Sequence, residues 1–268
     1  MADRQLGVIG AGNMAEALLR GALAAQVLSP DAVVVSDPQP ARRELFASEL
    51  GVEAVEDNTV PASCGRLLLA VKPQVMGAVL ASIRDTVTAD TGVISIAAGI
   101  KTAFIRDGLG GRGRIVRTMP NTPMLVGAGI SALCAGPGAT EDDLAWAERL
   151  LGTCGKTVRV EEPMLDVVTA VSGSGPAYFF YLVEAMAAAG VAEGMDAQTA
   201  LTLAVETCVG AGKLLVDSGQ PPETLRAKVT SPGGTTQAAI ESLESAGVKD
   251  ALIAAVRRAA QRSRELGG

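Results

Sequence analysis

A chain of 268 residues that is 48% hydrophobic but only 3% aromatic can bury a sizeable core, and must build it from Ala, Val, Leu and Ile. Its formal net charge of −6 argues against nucleic-acid partners, whose phosphates are held by clustered Lys and Arg. It contains no histidine, which excludes Ser-His-Asp hydrolysis, His-ligated zinc and His-based proton relays. Four scattered cysteines (Cys64, Cys134, Cys154, Cys208) form no C-x-x-C pair. They read as reduced, mostly buried thiols, with no metal site implied and a cytoplasmic setting expected. Asp3 and Arg4 stand where the apolar core of a secretory leader would build, so none is expected. No uninterrupted apolar run reaches the ~18 residues of a membrane span, so none is expected either.

The first element is a short apolar strand, Leu6 to Ile9, that runs into Gly10-Ala11-Gly12-Asn13-Met14-Ala15 and then into a helical pattern. Gly10 permits a tight turn, Gly12 lets a pyrophosphate approach the backbone, and Ala15 lets the helix pack closely on the strand. With a strand before it and a helix after it, the G-x-G-x-x-A spacing predicts a nicotinamide or flavin dinucleotide on Ile9 to Met14. Apolar positions 14, 18, 19, 22 and 23 place a helix from Asn13 to about Gln26. Ala32 to Val35 is a buried parallel strand ending at Ser36-Asp37-Pro38. Asp37 stands about where such folds place an acid on the adenosine ribose, and is equally a turn or cap residue; the nearby Arg42 and Arg43 are candidates for a 2′-phosphate. Arg66 to Val71 is the next strand, followed by Lys72 and by Pro73 at the first position of a helix. Lys72 is placed at a strand's carboxyl end, where ligands bind in open α/β sheets, or is a plain surface lysine. Gly92 to Gly99 repeats the logic, a buried strand ending in Ala97-Ala98, a surface small enough for a flat ring. Ile115 to Met119 leads to the proline-bracketed turn Pro120-Asn121-Thr122-Pro123. Two further strands, Ala128 to Ala135 and Lys156 to Val160, flank a helix from Glu141 to Leu151.

Near residue 162 strand patterns stop, and the chain divides into 1–162 and 163–268. Helices are expected at about Met164–Val171, Pro176–Glu193, Ala197–Ser218, Pro221–Val229, Thr235–Ser245 and Lys249–Glu265. The long helices are apolar enough that a second subunit is needed to cover them. Two stretches are not ordinary helix. Ser172-Gly173-Ser174-Gly175-Pro176-Ala177-Tyr178 breaks and restarts one. Thr230-Ser231-Pro232-Gly233-Gly234-Thr235-Thr236 brings exposed N–H groups and hydroxyls to a helix N-terminus, which is either a capped start or a small carboxylate site.

Taken together, Ile9-Gly10-Ala11-Gly12-Asn13-Met14, Ala70-Val71-Lys72-Pro73-Gln74, Ser95-Ile96-Ala97-Ala98-Gly99, Met119-Pro120-Asn121-Thr122-Pro123, Val171 to Tyr178 and Val229 to Thr236 resemble the pyrroline-5-carboxylate reductases over essentially the whole length. The last two motifs, in this order and separation, are specific to that family. The resemblance implies an α/β N-terminal domain of Rossmann type with a mostly parallel sheet, and an all-α C-terminal dimerisation domain whose dimers assemble further into a decamer. It implies reduction of L-1-pyrroline-5-carboxylate to L-proline with NADPH or NADH. Ser231, Gly233, Gly234, Thr235 and Thr236 would bind the substrate, with the Thr236 hydroxyl near the ring nitrogen as the catalytic group. Ile9 to Met14, Ser36, Asp37, Asn58, Ala70 to Pro73, Ala97 and Ala98 would hold the cofactor. Asp37 departs from NADPH-preferring members, which often carry a small polar or basic residue there, and so leaves the nucleotide open. A protonated cyclic imine is already electrophilic, which suits a chain without histidine. The rivals are an imine or β-hydroxyacid type of reductase, for which Asp166 is the one candidate carboxylate with no matching lysine, and a non-catalytic NAD(P)-sensing protein.

Overall fold

The computed structural model describes residues 4–266. The chain alternates β1 (Leu6–Ile9), α1 (Asn13–Ala24), β2 (Val33–Ser36), α2 (Pro40–Leu50), β3 (Glu53–Val55), a short α3 (Thr59–Ala62) and β4 (Arg66–Leu69). Then come α4 (Met76–Ile83), β5 (Gly92–Ser95), α5 (Thr102–Gly108), β6 (Arg114–Met119), β7 (Gly129–Ala135), α6 (Glu141–Leu151) and β8 (Gly155–Arg159). The eight strands make one sheet in the order β3-β2-β1-β4-β5-β6-β7-β8. Every pairing is parallel except β6 with β7. The mostly parallel α/β sheet expected from the buried apolar runs is therefore present.

Alternation along the strands splits the core into two layers. Leu68 faces a cluster with Leu6, Val8, Leu18, Phe46 and Trp146. Its neighbours Leu67 and Leu69 face the other side, with Ile9, Met76, Leu80 and Ile105. Gly7 is required by packing: a Cβ there would fall 1.9 Å from the Pro61 carbonyl oxygen of α3. On the far side of the sheet, Arg114 of β6 is paired with Asp143 of α6 at 2.8 Å. Asp143 also accepts from Thr140, closing a capping box that starts α6.

Four elements carry little sequence pattern and were not expected. Helix α2 buries only Phe46 and Leu50, β3 is a three-residue edge strand, and α3 and α5 are four and seven residues long. The helix expected over Met164–Val171 is α7 (Leu165–Val168) continued by a π-helical turn, Thr169–Gly173.

The remaining helices are α8 (Gly175–Ala192), α9 (Ala197–Ser218), α10 (Pro222–Lys228), α11 (Thr235–Ser245) and α12 (Val248–Leu266). By contact the chain forms two compact units. The first holds the sheet and extends to Gly173, and takes in the chain again from Ala259 onward. Ser263 of α12 donates to Asp166 of α7 at 2.7 Å within it. The second unit is Ser174–Arg258. There α8 and α9 pack so closely that a Cβ on Gly190 would sit 3.2 Å from that of Ala200. Their other faces are open: Phe179, Phe180 and Tyr181 are 60%, 69% and 75% exposed. Two helical stretches, Glu162–Ala192 and Ala197–Ser218, have the length and composition to cross a bilayer. An uninterrupted-run criterion does not register them, because polar residues are spaced along otherwise apolar helices.

Candidate active site

Strand order reverses direction on either side of β1 and β4, which opens a crevice at their carboxyl ends. Register aligns the last residues of four strands in a row, Ser36–Ile9–Leu69–Ser95. The residues that follow them are the candidate cofactor residues. Gly10 has φ +99° and donates its N–H to Ser36 O at 2.8 Å. A Cβ on it would lie 2.7 Å from Ala70 O and 2.9 Å from Val71 Cγ1. Ala11 donates to the Asp37 carboxylate at 2.8 Å, and the Ser36 hydroxyl donates to Asn58 Oδ1 at 2.7 Å. Gly10, Ala11, Ser36, Asp37, Asn58, Ala70 and Val71 are thus joined directly. Lys72 is exposed and Pro73 half-buried at the start of a 3-10 turn, Pro73–Val75. Ala97 is buried and Ala98 exposed just past β5.

Gly12 tests the fit of a dinucleotide here. Its backbone (φ −75°, ψ 175°) is open to any residue, and a Cβ would meet no atom of the protein within 4 Å. Neither backbone strain nor packing calls for glycine, so the space it leaves faces outward from an exposed turn. The N–H groups of Gly12, Asn13 and Met14 have no partner among the described residues, at the positive end of α1. A bare glycine beside unpaired donors suits a pyrophosphate.

In the second unit, the chain between α10 and α11 makes a tight turn at Gly233, whose φ of +72° requires glycine. Gly234 donates its N–H to Ser231 O at 3.0 Å, and a Cβ on it would lie 2.7 Å from Ser231 Oγ. The Gly233 N–H donates to Gln237 Oε1 at 2.7 Å, and Gln237 Nε2 donates on to Glu241. Both glycine N–H groups are therefore engaged inside the loop. The free donors are the next ones: the N–H groups of Thr235, Thr236 and Gln237 have no partner among the described residues, and α11 has no side-chain cap. Nor do the hydroxyls of Ser231, Thr235 and Thr236 show a partner among the described residues. Such a terminus accepts a carboxylate and one further polar atom. Gln237 was not anticipated; its signal is the one-turn spacing from Gly233.

The carboxylate considered for a rival reductase, Asp166, is held by Ser263 at 2.7 Å. Among the described residues no cluster of His, Cys, Asp or Glu could hold a metal ion. Cys64, Cys134 and Cys154 are buried free thiols, and Cys208 is half-buried. Burial, with Glu162 nearby, pushes the Cys134 thiol up to about 11, so it is no nucleophile.

Comparison with known proteins agrees with both halves. Residues 162–266 match the family described as pyrroline-5-carboxylate reductase dimerisation. Residues 5–99 match the NADP oxidoreductase, coenzyme F420-dependent family. The pyrroline-5-carboxylate reductase of Methanosarcina acetivorans is 42% identical, covering 100% of this chain and 99% of its own. A pyrroline-5-carboxylate reductase structure from Coxiella burnetii superposes with a TM-score of 0.93 at 35% identity, covering 99% of each chain. The Plasmodium falciparum pyrroline carboxylate reductase, with NADP bound, superposes at 0.88 with 29% identity over all of both chains.

Proposed function

The chain belongs to the pyrroline-5-carboxylate reductase family, and from that premise we propose that it reduces L-1-pyrroline-5-carboxylate to L-proline with a reduced nicotinamide dinucleotide. The observation that carries the proposal is that each unit has an unfilled helix terminus, the one at Gly12 suited to pyrophosphate and the one at Thr235 suited to a small carboxylate.

The nucleotide, when bound, supplies the hydride. The chain's own residues bind and orient. Gly12, Asn13 and Met14 direct their N–H groups at the pyrophosphate, and the Ala70–Pro73 and Ala97–Ala98 turns border the crevice. Thr235, Thr236 and Gln237 offer N–H groups to the substrate carboxylate, with the Ser231 and Thr235 hydroxyls beside them. The Thr236 hydroxyl holds the ring nitrogen. Because the imine is protonated before it reacts, no acid side chain is needed, and positioning accounts for most of the rate. Residues 1–162 then serve the nucleotide and 163–268 the substrate and self-association. The dimer covers the open faces of α8 and α9, dimers assemble further to a decamer, and the enzyme works in the cytoplasm, in keeping with its free thiols.

The test is loss of reduced-nicotinamide absorbance with L-1-pyrroline-5-carboxylate. Turnover is expected, and Thr236→Ala should lower kcat/KM about tenfold to a hundredfold, the size of one hydrogen bond to a charged group. No turnover, with tight nucleotide binding, would leave the sensor reading; an unchanged kcat/KM in Thr236→Ala would remove that residue from the reaction.

A further inference from the structure

The nucleotide reading just given leaves the choice between NADH and NADPH, and the corner around Asp37 bears on it. In doubly wound sheets the adenosine ribose lies past the second strand, where a carboxylate accepts from its 2′-hydroxyl or an arginine meets a 2′-phosphate. Asp37 follows β2 directly. Its Oδ2 accepts from Ala11 N–H at 2.8 Å and its Oδ1 from Gln39 N–H at 2.9 Å. The carboxylate is thereby tethered at both oxygens, each with a lone pair left for a hydroxyl. Swinging it aside would strip two backbone donors of their acceptor.

Both nearby arginines are tied into the protein, Arg42 through Nε and Nη2 and Arg43 through Nη1. Arg42 donates from Nε to Ala11 O at 2.5 Å and from Nη2 to Glu16 at 2.8 Å. Glu16 is bound as well by Arg20, which also reaches Glu49. Arg43 donates to Asp37 O at 2.8 Å and to Pro38 O at 3.0 Å, with Glu56 at 3.6 Å. Arg42 thus holds the phosphate loop against α1, and Arg43 holds the turn that presents Asp37. A 2′-phosphate would bring a charge near −2 against a fixed carboxylate, beside an Arg42 already paired with Glu16 and an Arg43 held on the carbonyls of the same turn.

We propose that Asp37, fixed by Ala11 and Gln39, makes this chain prefer NADH by accepting from the ribose 2′-hydroxyl and repelling a 2′-phosphate. This separates it from the Plasmodium falciparum relative described with NADP. Calorimetric titration of the intact homo-oligomer with NADH and with NADPH, without substrate, tests it. NADH should bind at least about tenfold more tightly, and AMP should outcompete 2′-phospho-AMP at the same site. Asp37→Ser should close or reverse the ratio. Asp37→Asn, which keeps the shape and removes the charge, should narrow it even if the serine variant folds poorly. NADPH binding as tightly as NADH, or a ratio unmoved in both variants, would overturn the proposal. NADH binding without turnover of the imine would sink the reductase reading alone. Failure of both nucleotides to bind would sink both.

Discussion

Asp143 serves two elements at once, accepting from Thr140 at the start of α6 and pairing with Arg114 of β6. Burial raises its pKa, but the bonds from Arg114 and Thr140 outweigh burial and bring it down to about 2. A folded pKa below the unfolded one means stability that is complete above about pH 4 and lost as pH falls toward 2. The contribution is about 2 kcal/mol. Asp143→Asn should therefore lower the unfolding free energy by about that amount at neutral pH, and flatten its dependence across that acid window, in denaturant titrations. Gly12 gives the opposite kind of prediction. Because a Cβ there meets nothing of the protein, Gly12→Val should leave Tm within a degree or two and weaken dinucleotide binding about tenfold or more. At this scale the glycines and hydroxyls were legible because each has one strong physical reason to be where it is. The partners were not: Arg42 meets Glu16 across 26 residues, and no local pattern couples them.

At the scale of elements, α11 depends on the turn before it. Gly233→Ala forces a side chain into φ +72°, which costs about 1 kcal/mol. The turn also positions the Thr235, Thr236 and Gln237 N–H groups, so this variant should raise KM for the imine while leaving nucleotide affinity unchanged. Equal loss of both affinities would point to general unfolding instead. Elements with a continuous apolar run (β1, β2, β4, β5) or a wide apolar face (α8, α9) were readable in the sequence. Those with neither were not. In α2, Arg42, Arg43, Glu44 and Glu49 crowd a helix that buries two residues, and β3 exists because Val34 to Ser36 of β2 offer it an edge. The π-helical turn at Thr169–Gly173 runs into the stretch from Ser172 that reads in the sequence as a broken and restarted helix, but no residue type there specifies a π turn over any other break. There a Cβ on Gly173 would meet Met119 at 2.6 Å, and Asn121 donates to Ser172 O at 3.2 Å.

For the molecule as a whole, the bare apolar faces of α8 and α9 make self-association part of stability. Phe180→Glu should lower the mass seen by light scattering, lower Tm and remove the dependence of Tm on protein concentration that the associated protein shows. A full-sized oligomer in that variant would place the contact elsewhere. Strand-forming runs stop in the sequence near residue 162, and the last strand, β8, ends at Arg159. No pattern in the sequence signals that the first unit is discontinuous. Residues from Ala259 onward return to it after the whole of the second unit has intervened, and bring Ser263 to Asp166. On the ribosome, all eight strands have therefore been made by Arg159, whereas Asp166 meets Ser263 only once α12 has cleared the exit tunnel. Vectorial synthesis imposes an order on this fold: the nucleotide-binding sheet and its two core layers are made first, and the last turns of α12 join that unit only after the whole helical segment has emerged.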